Sequence, residues 1–233
     1  MGQGGAAPSE PAVNWRDCIE LRISDPDLRA RTERFLDYLQ RAEFTYLRQD
    51  PETHRIVEEK LTGQQLLRDI SARRDVYDQS GIAASLEGAG LMGPSHKFVI
   101  AQHDRPFDGS VQNGSNTMFA QVNGHDYPLR IEIGTDYLKG AQYYDAQGGL
   151  HPVTVEGVVS NELGHLATGQ PGDQMTIDIE NIIAVQLGAE QRVGEQVEFT
   201  RNGNGGYQSL LPETVAPPAP APEQMPSGDV KPK

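Results

Sequence analysis

The chain has 233 residues, room for one domain with a sizeable core plus tails, and only 36% of them are apolar. A formal charge of −13 argues against a nucleic-acid backbone or an anionic membrane surface as the main partner and leaves proteins and small molecules. One cysteine, Cys18, excludes an internal disulfide and a cysteine-based zinc site, and no apolar run reaches the roughly 20 residues of a membrane span.

Residues 1–20 read as a disordered leader, because MGQGGAAPSEPAV is small, rich in Gly and Pro, and without periodicity. It lacks the basic-then-apolar pattern of a secretion signal. One domain is expected over 21–210. Leu28, Phe35, Leu36, Leu39 and Ala42 recur at helical spacing behind Asp25, a candidate N-cap, and Pro26 at the first helical position. A second helix is expected after Asp50-Pro51. A third starts at Thr62, whose hydroxyl can cap the amide of Gln65 while Gln65 reaches back, ahead of Leu66, Leu67 and Ile70.

The character then changes. HKFVIAQHD (96–104), TMFAQV (117–122) and LRIEIG (129–134) are short apolar or alternating runs divided by Gly, Asn and Pro, which predicts the strands of a small sheet. NGSN and NGHD are turn signals, so two of these strands are expected to form a hairpin. VEGVVSNELGHLA (155–167) and DQMTIDIENIIAVQLGAEQRV (173–193) follow as candidate helices. NGNGG (202–206) reads as a flexible loop and 211–233 as an extended, Pro-rich tail. Helices, then strands, then helices give an α+β domain rather than alternating βαβ units.

The chemistry concentrates in VVSNELGHL (158–166). At 100° per residue, Val155, Val158, Val159, Leu163 and Leu166 cover a broad apolar sector, so this helix is substantially buried. Asn161 and His165, four apart, lie above one another where one metal ion could reach both, and Glu162 is turned toward a metal-bound water. The pattern is the zinc-protease motif H-E-x-x-H with Asn161 for its first histidine. Gly164 has no packing value in mid-helix and costs about 1 kcal/mol relative to Ala, which implies close approach of a strand or a substrate. The five-residue pattern is common by itself; its place on a buried helix, with strands before it and an acidic helix after it, favours the chemical reading.

GVVSNELGHLA resembles the active-site helix of zincin metallopeptidases. With LTGQQLLRDI and LRIEIGTDYL upstream and IDIENIIAVQLGAEQRVG downstream, the chain is similar over roughly residues 30–195 to the type III secreted, NleD-like (M91) effector metallopeptidases of bacteria. The resemblance implies a zincin-like fold, one Zn²⁺, and hydrolysis of peptide bonds in a host signalling protein by metal-activated water. It also implies a monomer delivered into a host cell without a signal peptide, or otherwise cytoplasmic. Under it Glu162 is the general base, His165 a metal ligand, and Asn161 stands in the place of another. The third ligand is expected to be an acid on the following helix: Glu180 first, Asp178 second, Glu190 third.

An asparagine oxygen is neutral and hard, acceptable to Ca²⁺ or Mg²⁺, whereas zinc prefers imidazole or thiolate. Zinc is therefore expected to be weakened or absent, unless His151, His103 or His125 compensates. Two readings stay open: a zinc metallopeptidase, and a disarmed zincin acting as a protein-binding module. A His-to-Asn substitution introduced into an active protease would give the same sequence. An oxyanion in the active reading would lean on the metal and on a tyrosine, with Tyr137, Tyr143, Tyr144 and Tyr207 available. There is no G-x-S-x-G elbow and no P-loop, and Cys18 reads as buried filler.

Overall fold

A computed structural model of the chain describes residues 11–49, 54–110, 113–122, 125–169, 174–194, 197–199 and 206–211. In chain order they form α1 (Trp15–Cys18), β1 (Ile19–Arg22), α2 (Pro26–Leu39), β2 (Glu43–Gln49), β3 (Ile56–Thr62), α3 (Gly63–Ser80), α4 (Ile82–Gly88), a 3-10 turn (Pro94–His96) and β4 (Phe98–His103). Then follow β5 (Asn116–Val122), β6 (His125–Gly134), α5 (Thr135–Gly140), β7 (Ala141–Tyr144), β8 (Leu150–Pro152), α6 (Val155–Thr168), α7 (Gln174–Gln186) and β9 (Val197–Phe199). The class is mixed α+β with small sheets, as the order of patterns predicts.

The main sheet runs β1-β4-β6-β5. β4 pairs in parallel with both β1 and β6, and β5 runs antiparallel to β6 as the expected hairpin. Phe98, Val99 and Ile100 are all buried because β4 is covered on both faces, which is why its sequence is a continuous apolar run instead of an alternation. Leu21, Ile100 and Ile131 meet across three adjacent strands. Burying a side chain of this size contributes about 1.5–3 kcal/mol. A second sheet, β8-β7-β9, lies beyond the main one, and β2 with β3 makes a separate two-stranded hairpin.

α2 and α3 begin as their sequences predict. Asp25 accepts from the amides of Asp27 and Leu28, with Pro26 in the first turn. Thr62 accepts from the Gln65 amide at 3.0 Å, but the Gln65 side chain runs forward to Asp69 instead of back, so only half of the capping box forms.

Two expectations are corrected. No helix follows residues 50–51: residues 56–62 are a strand paired antiparallel with β2, since IVEEKLT alternates with period two and finds a partner in EFTYLRQ. Residues 11–20 of the expected leader are in the structure, and Trp15, Cys18 and Ile19 lie in the core, with the indole N–H donating to Asp37 at 2.8 Å. Residues 1–10 and 212–233, and most of the NGNGG loop, lie outside the described residues.

α6 is the centre of the molecule. It packs against α2, α3 and α7 and touches β5 and β6, and twelve of its fourteen residues are buried. The Thr154 hydroxyl caps it by accepting from the Gly157 amide at 3.1 Å, and Gly169, at φ 70°, ends it in the left-handed conformation that favours glycine.

Candidate functional site

Asn161, Glu162 and His165 of α6 line one side of a cleft of about 310 Å³. β5 supplies Asn116, Thr117 and Phe119 to the other side, α5 supplies Tyr137, and Arg192 and Val197 close it from the chain that follows α7. The helical spacing read from sequence is thus real, and it presents all three motif residues to one cavity. A pocket of this size, part apolar and part polar, is in the range of small-ligand and side-chain sites.

Glu162 is only 5% exposed and accepts a hydrogen bond from the Thr117 hydroxyl at 2.7 Å. The same hydroxyl also reaches the Glu162 main-chain oxygen, at 3.3 Å. His165, also 5% exposed, meets Phe119 edge-on with ring centres 5.9 Å apart. Phe119 thus packs β5 onto α6 beside the two motif residues.

Asn161 is turned toward α7. Its amide donates to the Thr176 hydroxyl at 3.2 Å and also hydrogen-bonds Glu180. Thr176 and Glu180, four apart, share the face of α7 that meets α6. That face approaches closely because α6 carries Gly157 and Gly164, seven apart and so nearly in line along the helix. A Cβ on Gly164 would lie 3.1–3.3 Å from Thr176, backbone Cα included, and one on Gly157 would lie 3.1 Å from a Glu180 oxygen. The close approach implied by Gly164 is therefore that of a helix, not of a strand or substrate.

Glu180 is buried, and its carboxylate pairs with the Arg192 guanidinium at 3.1 Å. Burial pushes its pKa up to about 6, against the opposing pull of Arg192 and the Asn161 hydrogen bond. Arg192 is held in turn from three sides. Asn181 accepts from its main-chain amide at 2.8 Å and donates to its carbonyl at 2.9 Å, while Nε donates to the Gly194 oxygen at 2.7 Å.

This arrangement does not fit zinc. Asn161 offers a neutral amide already bonded across to α7, Thr176 faces it with a hydroxyl, and Glu180 is already neutralised by a fixed cation beside which a second cation would be repelled. Among the described residues no three His, Cys, Asp or Glu side chains converge as a metal site needs.

The other candidates lie elsewhere. Asp178 and Glu190 are exposed. His151 pairs with Asp145 at 2.8 Å in the β7–β8 turn, and His103 bonds the Gly114 carbonyl at 2.9 Å, so neither lines the cleft. The side chain of His125 lies outside the described residues. Cys18 is fully buried, and desolvation pushes its thiol up to about 11, which leaves it no nucleophilic role near neutrality.

Thr117, Thr176 and Arg192 escaped the sequence reading as site residues, and Tyr137 was one of four tyrosines among which it could not choose. The signal for Thr176 is its place one turn before Glu180, on the face opposed to the two glycines. For Arg192 there is no local signal, since it arrives from beyond the helix. Comparison with known proteins gives no match: no protein family, no curated protein and no solved structure matches the chain.

Proposed function

We propose that the chain is a zincin-like domain disarmed at its metal site, which binds an extended segment of a partner protein in the cleft between β5 and α6. The observation that carries this reading is the commitment of Asn161 and Glu180 to Thr176 and Arg192. An acid locked to a buried arginine serves structure, and breaking such a pair costs about 3–5 kcal/mol, which zinc would have to offset before it bound. Glu162 and His165 remain as cleft-lining polar groups that can meet a ligand.

A peptide suits the remaining geometry. Among the described residues β5 is the terminal strand of its sheet and pairs with β6 alone, so its outer edge can accept an added strand. Phe107, Phe119, Val158 and Val197 share the cleft lining with hydroxyl and charged side chains, which matches a ligand that presents both kinds. The overall charge of −13 attracts a basic segment during encounter. The partner, on the resemblance to secreted effectors, is a host or bacterial protein.

The test measures zinc affinity by competition with a chromophoric chelator, and casein hydrolysis, on the wild type, Asn161→His and Asn161→His with Arg192→Gln. The expected outcome is no stoichiometric zinc and no cleavage in the wild type, little gain with Asn161→His because Arg192 still holds Glu180, and zinc uptake in the double variant. Near-stoichiometric zinc together with casein cleavage in the wild type would overturn the disarmed reading and restore the metallopeptidase.

A further inference from the structure

Four tyrosines could supply a hydroxyl to a ligand, and their partners separate them. The Tyr143 hydroxyl donates to the Glu190 carbonyl at 2.8 Å, that of Tyr144 to Glu198, and that of Tyr207 to Asp25 at 2.7 Å. Tyr77, deep in the core, donates to the Pro128 carbonyl at 2.7 Å. Tyr137 is 8% exposed, lines the cleft, and has no hydrogen-bond partner for its hydroxyl among the described residues. Its ring is fixed edge-on against Phe107, with centres 5.1 Å apart.

The ring is buried but the hydroxyl opens to the cleft, where its hydrogen-bonding capacity is free for whatever the cleft holds. Phenylalanine would fill the same space without that capacity, so the hydroxyl is the part of the residue that can serve a ligand. Resting on the peptide-binding reading above, we propose that Tyr137 is a specificity-determining residue whose hydroxyl donates a hydrogen bond to a neutral carbonyl oxygen of the segment bound in the cleft.

The surrounding charges choose donor over acceptor and carbonyl over carboxylate. Glu180, Glu162 and Arg192 are the charges that act on this hydroxyl. Desolvation and the two carboxylates outweigh Arg192 and push the phenol up to about 12, so it stays protonated and donates. A ligand carboxylate would meet two acids with one arginine that is already paired, whereas a main-chain carbonyl meets no such repulsion.

The experiment probes an array of N-acetylated, C-amidated octapeptides of mixed sequence with the full chain and with Tyr137→Phe, and compares urea unfolding of both with Tyr77→Phe. Peptides held by the wild type are expected to bind Tyr137→Phe roughly 3- to 10-fold more weakly, the range for one net hydrogen bond. Stability should be unchanged or slightly raised in Tyr137→Phe and lowered in Tyr77→Phe. Equal affinity for the same peptides overturns the role of Tyr137 and leaves the cleft reading standing. A loss of stability in Tyr137→Phe like that in Tyr77→Phe makes the hydroxyl structural and overturns the proposal too. If no peptide binds either protein, the peptide reading fails and this one with it.

Discussion

Glu180 carries a carboxylate whose pKa burial lifts from 4.5 to about 6, so its neutral form is favoured in the folded chain. A raised acid contributes stability that is fully present below about pH 4.5 and is lost as pH rises through about 6. At about 1.4 kcal/mol per pKa unit the change amounts to about 2 kcal/mol. Glu180→Gln removes the titration, so the stability of the wild type relative to this variant should fall by that amount between pH 4.5 and 7, measured by urea unfolding. A difference that grows with pH would mean that the Arg192 pair outweighs desolvation. The same residue shows what local pattern cannot reveal. Its acidity, helix and spacing from His165 are written in IDIENII, but its pairing with an arginine twelve positions on is not.

At the scale of elements, α6 is fixed at its N-terminal end by a strap of residues from beyond β9. Gln208 bridges Thr154 in parallel and accepts from the Val155 amide at 3.2 Å. Glu156, 1% exposed, accepts from the Ser209 hydroxyl and from the amides of Leu210 at 3.0 Å and Leu211 at 3.3 Å. In the sequence Glu156 is one more acid in the first turn of a helix, where it suits the dipole. Its larger role is to satisfy the donors of a segment more than fifty residues away. Glu156→Ala leaves those amides without an acceptor in a buried place and is expected to cost about 3 kcal/mol by urea unfolding. Glu156→Gln keeps one carbonyl acceptor and should cost less. If both cost under about 0.5 kcal/mol, the strap does not hold the helix.

On the scale of the whole molecule, the parallel pairing of β1 with β4 ties the beginning of the described chain to the middle of the main sheet. Trp15, Cys18 and Ile19 belong to the same core as Ile100, Val159 and Leu163. A chain that begins at residue 21, where the composition places the domain boundary, should therefore lose near-UV circular dichroism and a cooperative urea transition, because it gives up part of a sheet strand and several fully buried side chains. A truncated chain with a transition midpoint near that of the full protein would show that β1 and α1 only decorate the fold. The Gly- and Pro-rich start of the chain masked this, since a four-residue helix and a four-residue strand are too short to show periodicity.

What the sequence determined alone is local and periodic: the caps of α2 and α3, the β5–β6 hairpin, the mixed α+β class, and the helix that turns Asn161, Glu162 and His165 toward one space. Each follows from side chains within a few turns or a few strand positions, where backbone geometry fixes who can meet whom. The tertiary structure alone decided the partners that arrive from a distance: Thr117 on Glu162, Thr176 and Glu180 on Asn161, Arg192 on Glu180, and the placement of Tyr137 among four tyrosines. The physical reason is that hydrogen bonds and ion pairs of buried groups depend on which elements pack together, and packing depends on the whole core. Gly157 and Gly164 stand between the two cases. Their cost in a helix is visible in the chain, but the helix that needs their missing side chains is found only when α7 lies against them.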